Sequence, residues 1–374
     1  MTFVDPHSPW RGDHENSEGA VIGHARQKEL IVKKGCGVFI IIFCIWMALS
    51  SFPALAHERY QFDLLWPTRS TLWYFCLHEG VTTDSLGHVY VADTYKHCIQ
   101  KYHSNGDFIS KWGDAGEENG EFCLPSGVAV DFAGQVYVAD TLNQRIQKFD
   151  SNGKFITKWG SQGSGNGQFD WPRGVAVDYT GNVYVVDTIN SRIQKFDQDG
   201  KFIAKWGLKG LENGQFDYPS GVAVDFAGYV YVADTLNQRI QKFDSTGKFI
   251  TKWGSQGSGN GQFDYPFGVA ADPSGHLYVA DTSNNRIQKF DSNGKFITQW
   301  GTHGQRHGQF DGPRGVAVDS AGYVYVADTL NHRIQKFSPA LHHRKVTLTE
   351  LGIITLIVFG GSGFIFFLKA WRII

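Results

Sequence analysis

The sequence has few cysteines and no excess of charge of either sign. Five cysteines in 374 residues are too few for the dense disulfide framework of small secreted domains. The 35 basic and 36 acidic residues give a formal charge of −1, so no global field would attract nucleic acid or anionic lipid. These two absences argue against a disulfide scaffold and against a strongly electrostatic partner.

Helical periodicity is also missing from the central part of the chain, which instead repeats one phrase. A phrase of the form V-Y-V-A-D-T followed by R-I-Q-K-F recurs six times, and its aspartates are each 47 residues from the next: Asp93, Asp140, Asp187, Asp234, Asp281 and Asp328. A period in this range is typical of arrays whose units cannot bury their apolar faces alone. Each unit holds four short runs rich in Val, Ile, Tyr, Phe and Trp, closed by Gly, Asn or Asp turns. This pattern predicts four antiparallel strands, which is one propeller blade.

The pattern G-V-A-V-D followed by G-x-V-Y-V-A-D-T-x-N-x-R-I-Q-K-F resembles the NHL repeat over essentially all of residues 80–337. The resemblance implies a six-bladed β-propeller, and the six Asp-Thr phrases give the same number of blades. We therefore expect an all-β fold, a six-bladed β-propeller of four-stranded blades in 47-residue repeats, over residues 57–338. Because Cys76 and Cys123 hold equivalent positions in adjacent blades, we expect them to be further apart than a disulfide allows.

The last repeat lacks its outer strand. Blades one to five end in a segment such as Phe108–Trp112, whereas the sixth breaks off at Phe337-Ser338-Pro339. The segment YQFDLLW at residues 60–66 precedes the first blade and ends in Trp, as the other outer strands do. We predict that it pairs with residues 333–337 and closes the ring, which removes an open sheet edge.

Two uncharged stretches flank the array. Residues 35–56 and 351–368 are long enough, at about 1.5 Å per residue, to cross a bilayer core, so we expect N- and C-terminal transmembrane helices. Basic residues before the first stretch favour a cytoplasmic tail over residues 1–34 and an extracytoplasmic propeller. The triplet Ala54-Leu55-Ala56 leaves a cleaved signal sequence as the alternative. Residues 339–350 would then be a linker and residues 369–374 a short tail.

The residues that recur in every blade are expected to be scaffold. Asp140 and Arg145 should organise the turn into the third strand, and Trp159 and its equivalents should pack between blades. Lys148 and Lys242 are interpreted as part of a basic rim that blunts edge pairing. A group present in six symmetric copies cannot by itself mark one functional point.

Function is expected where the blades differ. The residues just before each inner strand motif are Glu79, Ser126, Arg173, Ser220, Phe267 and Arg314, and those two places earlier are Leu77, Leu124, Trp171, Tyr218, Tyr265 and Gly312. Arg173 and Arg314 are three repeats apart and should face each other across the channel mouth. Arginines beside aromatic surface suit a protein, peptide or other extended ligand with acidic groups. The predicted ligand-binding residues are Arg173, Arg314, Glu79, Trp171, Tyr218, Tyr265 and Phe267; neutral variation at loop tips is the alternative interpretation.

These expectations favour a membrane-anchored, extracytoplasmic binding or scaffolding module over an enzyme. NHL repeats are related to the amidating lyase that acts on peptidyl-hydroxyglycine and holds zinc through several histidines, but five of six blades here have Pro at the position of His78. His97 and His332 hold equivalent loop positions near the seam, so a two-histidine metal site stays an alternative to two solvated histidines. We expect no cofactor, no metal and no nucleic-acid partner. The alternative function is an exported lyase or hydrolase acting at the channel mouth.

Overall fold

Residues 59–67, 75 and 77–339 are described in a computed structural model of the chain. Within these residues, 24 strands form six four-stranded antiparallel sheets. Three short 3₁₀ turns, Thr94–Lys96, Thr235–Asn237 and Thr329–Asn331, follow the second strand of blades 1, 4 and 6. The predicted six-bladed propeller is therefore confirmed.

The first strand of the described residues is β1 (Tyr60–Trp66), and the twenty strands after it form the first five blades, four strands to each blade. Their bounds are β2 (Val81–Thr83), β3 (Val89–Asp93), β4 (Cys98–Tyr102) and β5 (Phe108–Trp112) in blade 1; β6 (Pro125–Val130), β7 (Val136–Asp140), β8 (Arg145–Phe149) and β9 (Phe155–Trp159) in blade 2; β10 (Pro172–Val177), β11 (Val183–Asp187), β12 (Arg192–Phe196) and β13 (Phe202–Trp206) in blade 3. They continue with β14 (Val222–Val224), β15 (Val230–Asp234), β16 (Arg239–Phe243) and β17 (Phe249–Trp253) in blade 4; β18 (Pro266–Ala271), β19 (Leu277–Asp281), β20 (Arg286–Phe290) and β21 (Phe296–Trp300) in blade 5. Blade 6 contains β22 (Pro313–Val318), β23 (Val324–Asp328) and β24 (Arg333–Pro339).

The ring is closed by the N-terminal strand. Strand β1 pairs antiparallel with β24, from Tyr60 opposite Pro339 to Trp66 opposite Ile334, and completes the sheet β1-β24-β23-β22. Trp66 is buried and packs against Tyr325 of blade 6 and Tyr102 of blade 1. The predicted closure is thus confirmed, because the first and last segments of the array share one sheet.

The core lies between blades rather than within them. A typical cluster joins Tyr137 and Ile146 of blade 2 to Val183 and Phe196 of blade 3. The outer-strand tryptophan Trp159 packs against this cluster and lies across the blade boundary, 5.8 Å from the Phe196 ring and 6.4 Å from the Tyr137 ring. The prediction that the Trp series packs between blades is confirmed.

A buried aspartate fixes the turn between the second and third strands of each blade. In blade 2, Asp140 is fully buried and accepts hydrogen bonds from the Arg145 Nε at 2.6 Å and from the Cys123 backbone N–H at 2.7 Å. Arg145 also donates to three backbone carbonyls of the preceding Gly-rich segment. Burial raises the pKa of Asp140 although hydrogen bonds and the arginine oppose it, because removing the carboxylate from water is costly. The predicted structural role of this pair is confirmed.

The lysines of the third strands do not form a rim. Lys148 and Lys242 are only 4% and 5% exposed, and the Lys148 Nζ lies 5.2 Å from the centre of the Tyr137 ring. Its ammonium donates a hydrogen bond to the backbone carbonyl of Gln198 in the next blade at 2.8 Å. The interpretation of these two residues as rim lysines was wrong, since the third strand of a blade is covered by the neighbouring blade.

The inner strands approach one another closely around the channel. A Cβ atom added to Gly221 would lie 2.3 Å from the backbone oxygen of Phe267, and one added to Gly127 would lie 2.2 Å from that of Arg173. No side chain fits such gaps, so glycine is required at the repeated position. The close approach of the inner strands at these glycines places the residue just before each glycine at the channel mouth.

The two ends of the blades form two faces of the propeller. The upper face is where the inner strands begin, at the ring Glu79, Ser126, Arg173, Ser220, Phe267 and Arg314. The lower face carries the first hairpin of each blade, such as Asp131–Gly134. Residues 35–56 and 351–368, the expected transmembrane segments, lie outside the described residues. Among the residues that the structure describes, no helix is long and apolar enough to span a bilayer.

Candidate ligand-binding site

The channel along the ring axis opens at the upper face through the residues that vary between blades. It encloses about 220 Å³ and is lined by all six inner strands. The six residues of the predicted ring, Glu79, Ser126, Arg173, Ser220, Phe267 and Arg314, all line it. The repeat register therefore brings these positions together, although they are distant in sequence.

One of the two arginines at the mouth already has a carboxylate partner. Arg314 of blade 6 forms a hydrogen-bonded ion pair with Glu79 of blade 1, across the seam where the ring closes. The Glu79 side chain is 9% exposed and the Arg314 side chain is 36% exposed. This pair neutralises the charge of Arg314 and joins the first and last blades at the channel.

Arg173 on the opposite side has a different environment. Its guanidinium carbon lies 5.6 Å from the centre of the Trp171 ring, 5.4 Å from that of Tyr218 and 5.5 Å from that of Phe267. Within the described residues it has no carboxylate partner within 4.0 Å, and its buried Nε has no hydrogen-bond partner. A cation held over three aromatic faces is stabilised by their quadrupoles, but its N–H donors remain available for an anion.

Phe267 lies between the two arginines. The Arg314 guanidinium carbon is 5.3 Å from the centre of the Phe267 ring, so that both guanidinium groups contact the same phenyl group. Tyr265, also predicted as a site residue, is not among the rings that contact either guanidinium. The structure therefore brings six of the seven predicted residues into one connected group and leaves Tyr265 beside it.

The aromatic residues at the mouth are held in a left-handed backbone conformation. Trp171, Tyr218 and Tyr265 have φ of 57°, 54° and 60°, which is uncommon for bulky residues and costs energy. Side chains of the preceding blade stabilise this conformation: the Trp171 backbone N–H donates to Gln144 Oε1 at 2.7 Å, and the Tyr265 N–H donates to Gln238 Oε1 at 2.6 Å. The aromatic rings are thus presented by a fixed backbone.

His97 takes part in the same bracing. It occupies the position of Gln144 in blade 1, and its Nδ1 accepts a hydrogen bond from the Leu124 backbone N–H at 3.2 Å. That contact gives His97 a structural role without a metal. No group of three or more His, Cys, Asp or Glu that could hold a metal ion occurs among the described residues.

The serines of the ring are hydrogen-bonded within the blades. Ser126 Oγ lies 2.8 Å from Thr141 Oγ1, and Ser220 Oγ lies 2.7 Å from Thr235 Oγ1. Both serines are buried. Of the two cysteines in the described region, Cys98 and Cys123 are both free thiols, and burial raises the pKa of Cys98 to about 12. Neither serine is hydrogen-bonded to a general base in these contacts, and the thiol of Cys98 is not activated as a thiolate.

An apolar collar surrounds the mouth and was missed by the sequence analysis. The residue after each Asp-Thr pair is apolar and 38–54% exposed in five blades: Tyr95, Leu142, Ile189, Leu236 and Leu330. The upper face therefore offers apolar contact area outside the ring of arginines and aromatics. The signal in the sequence is an apolar residue at a loop position of five repeats, where solvated loops normally carry polar residues.

His78 replaces the proline of the other blades and is fully buried. Its Nε2 lies 3.0 Å from the carbonyl oxygen of Arg333, which can only accept, so Nε2 carries the hydrogen and Nδ1 is a buried acceptor without a partner. Burial lowers the pKa of His78 to about 3, with a smaller contribution from His332 and although the hydrogen bond to the Arg333 carbonyl opposes the shift. The imidazole is therefore neutral in the folded protein at neutral pH.

The buried histidine makes stability sensitive to acid. Because the folded protein disfavours protonation, its stability falls as the pH drops below the unfolded value of about 6.5, by about 1.4 kcal/mol per pH unit. At pH 5 we expect the free energy of unfolding to be about 2 kcal/mol lower than at neutral pH because of His78. His78→Pro should remove this loss, because Leu77 has the same φ of 50° as Leu124 before Pro125. Denaturant unfolding at pH 7 and pH 5 measures the difference, and equal acid sensitivity in both proteins would contradict it.

Comparisons with known proteins agree with this architecture. A sequence profile of the NHL repeat matches residues 75–102, 216–243, 263–290 and 310–337, and a profile described as a 6-bladed beta-propeller matches residues 129–222. No curated protein sequence matches the chain.

Several solved structures are similar in fold. A protein of unknown function from Bacteroides thetaiotaomicron is 16% identical, with a TM-score of 0.59 over 75% of this chain and 76% of that chain. A gluconolactonase from Xanthomonas campestris is 15% identical, with a TM-score of 0.55 over 77% and 93%. A virginiamycin B lyase from Staphylococcus aureus, solved with quinupristin, is 14% identical, with a TM-score of 0.53 over 75% and 99%. At these identities the similarity concerns the fold alone, and together with the matched repeats it shows that the chain is an NHL-repeat, six-bladed β-propeller.

Proposed function

We propose that the propeller is a binding module that captures an acidic, extended ligand on its upper face. The observation that supports this most directly is Arg173, a cation among three aromatic rings with a buried, unpartnered Nε. A buried donor without a partner is costly, and a ligand carboxylate would satisfy it. A ligand that satisfies this donor therefore gains binding free energy at Arg173.

The dimensions of the site indicate how such a ligand would lie. The channel volume of about 220 Å³ is smaller than the roughly 300–1,000 Å³ of pockets that enclose a drug-sized molecule. A single carboxylate-bearing group would enter the mouth, while the rest of the ligand would lie over the apolar collar of Tyr95, Leu142, Ile189, Leu236 and Leu330. A peptide with an acidic side chain or a free C-terminal carboxylate has this shape.

The first test separates the two arginines. We expect Arg173→Ala to weaken binding of carboxylate-bearing peptides by about 2 kcal/mol, or about 30-fold, because it removes the unpaired cation. Arg314→Ala should weaken it less, since Glu79 already neutralises Arg314. The measurement is fluorescence anisotropy of the full chain with acidic peptides and with their amidated, Asn-substituted counterparts.

The matched control lies in the same blade as Arg173. Lys205 is exposed on strand β13, so Lys205→Ala removes one positive charge outside the upper face and should change binding by less than about 0.5 kcal/mol. Loss of binding in the Lys205 variant, with binding intact in Arg173→Ala, would place the site on the outer surface. Equal binding of the acidic and neutral peptides would refute carboxylate recognition.

The second part of the proposal is that the module is membrane-anchored and extracytoplasmic. Its support is the pair of uncharged segments 35–56 and 351–368 on either side of the propeller, together with the basic residues before the first. An exported location also argues against RNA as a partner. The N-terminal segment serves as an anchor or as a cleaved signal sequence, and in either case the propeller is exported.

A protease experiment tests this orientation. Protease added to intact cells or spheroplasts should digest the propeller and spare an epitope tag within residues 1–34, because only the propeller is exposed. Loss of the tag with the propeller protected would reverse the assignment. Loss of the tag from the mature protein in untreated cells would indicate cleavage after the first segment.

The alternative function is an exported lyase or hydrolase at the channel mouth. A lyase and a gluconolactonase have similar folds, but a sequence identity of 14–15% is too low to assign their activities to this chain. Elemental analysis of the purified chain distinguishes a metal-dependent enzyme from a binding module, because a metal-dependent enzyme would retain stoichiometric metal.

A further inference from the structure

The lower face also carries exposed aromatic residues, on one side only. Phe132, Tyr179 and Phe226, at the first hairpin tips of blades 2, 3 and 4, are 82%, 73% and 68% exposed. The rings of Tyr179 and Phe226 are stacked with their centres 6.3 Å apart. We call these three residues the aromatic arc. Leu86, in the hairpin of blade 1, adds an apolar side chain that is 81% exposed. Side chains of this size in one exposed group indicate contact with a membrane or a protein.

The fold itself does not require these aromatic residues. The hairpin of blade 4 is held by Asp225, which accepts from the Ala227 and Tyr229 backbone N–H groups and from the Tyr231 hydroxyl. The same bonds to Asp319 hold the hairpin of blade 6, where Ser320 stands at the position of Phe226. Since a serine supports an identical hairpin, the aromatic arc serves something outside the blade.

Both ends of the described array leave from the lower face, at blade 6. Tyr60, the first residue of β1, pairs with Pro339, the last residue of β24. Pro339 lies against the lower hairpin, with its Cγ 3.4 Å from the position of a Cβ on Gly322. Only residues 57–59 separate Tyr60 from the uncharged segment 35–56, and an extended chain covers at most about 14 Å over that separation.

We infer that the lower face lies flat against a lipid bilayer, with Phe132, Tyr179 and Phe226 at the level of the head groups. The chain connections at blade 6 and the aromatic arc on blades 2–4 are on opposite sides of the ring, so together they would hold the face parallel to the membrane. Aromatic side chains prefer this interfacial region. This inference rests on the proposed membrane attachment, and it directs the upper mouth away from the bilayer.

The charges of this face indicate which lipid it contacts. Six aspartates surround the lower opening of the channel: Asp84, Asp131, Asp178, Asp225, Asp272 and Asp319. On the same face, exposed lysines of the opposite sign follow the second hairpin of blades 2–5: Lys154, Lys201, Lys248 and Lys295. Because charges of both signs are present, we expect no net attraction to anionic head groups, and the partner is a zwitterionic surface such as phosphatidylcholine, bound through apolar and aromatic contact.

Site-specific photo-crosslinking of the full chain in its membrane tests the inference. Benzoylphenylalanine in place of Tyr179 should give phospholipid adducts at least about tenfold more often than the same probe in place of Leu211. Leu211 is a matched control, since it is 71% exposed and follows β13 of the same blade, but lies at the upper face. Adducts with protein, including a second copy of the chain, or an absence of lipid adducts at 132, 179 and 226, would overturn the inference.

Failure of the anchor is detected separately by cell fractionation. If the full chain is recovered in the soluble fraction, the proposed anchoring is wrong, and the lower face is then tested by flotation with phosphatidylcholine vesicles. Flotation that is lost on combining Phe132→Ser, Tyr179→Ser and Phe226→Ser, but kept with Leu142→Ser, Ile189→Ser and Leu236→Ser on the upper face of the same blades, would support the lipid contact. No flotation of the unmodified chain would overturn it.

Discussion

Replacing β1 by a Gly-Ser linker of equal length should open the propeller. The replacement removes the strand that pairs with β24 along its whole length. It also removes Trp66 and so exposes Tyr102 and Tyr325, the rings that this tryptophan covers at the seam. An exposed β24 edge favours intermolecular pairing, so we expect aggregation or dimers in place of a stable monomer. Size-exclusion chromatography and hydrogen exchange of the 333–338 amides measure these effects.

A point variant separates ring closure from ordinary packing. Trp66→Ala should lower the free energy of unfolding by about 3–5 kcal/mol, as large buried aromatic residues do. Trp159→Ala removes the equivalent side chain between blades 2 and 3, which remain joined by a continuous chain. If both variants lose similar stability but only Trp66→Ala loses exchange protection in β24, closure by β1 is the cause. A linker variant as stable and monomeric as the unmodified chain would refute this role.

The repeat predicted the fold because each blade carries the same local signals. The spacing of Asp140 from Asp187 fixed the length of a blade, and the missing outer strand after Phe337 predicted the pairing of residues 60–66. The burial of Lys148 was not predictable from the repeat. An alternating strand suggests one solvated face, but in a propeller the blades on either side cover the two faces of the third strand: Phe149 packs against blade 1 and Ile146 against blade 3.

The candidate site was predictable in position but not in contacts. Register alone placed Arg173 and Arg314 at the channel mouth, because each immediately precedes the glycine that approaches the next inner strand. Arg314 differs from Arg173 in having an ion-pair partner, Glu79, which reaches Arg314 only once the ring has closed. The hairpin aromatic Tyr179 could have been noticed from its unusual residue type at a turn, whereas its relation to the ends of the array required the structure.

The buried aspartate network should give the second large effect on stability. In blade 3, Asp187 accepts hydrogen bonds from the Asp170 backbone N–H, Asn190 Nδ2, Arg192 Nε and Gln194 Nε2. Asp187→Ala leaves the Arg192 side chain, only 7% exposed, without its counter-ion. Removing one partner of a buried ion pair costs about 3–5 kcal/mol, although the intact pair contributes little net stability. Equilibrium unfolding in urea measures the loss, and we expect the propeller to remain folded because five other blades keep their networks.

A double variant identifies the source of that cost. Replacing Arg192 by Met removes the buried charge, so the combination with Asp187→Ala should be less destabilised than the sum of the two single variants, by about 1–3 kcal/mol. Blade 1 has Cys98 at the position of Arg192 and retains Asp93, which indicates that a blade tolerates loss of the arginine. Additive effects would show instead that Asp187 acts mainly through the backbone N–H of Asp170 and the turn it fixes. A loss below about 1 kcal/mol in Asp187→Ala would contradict the role of the network as the main stabiliser of the turn between the second and third strands.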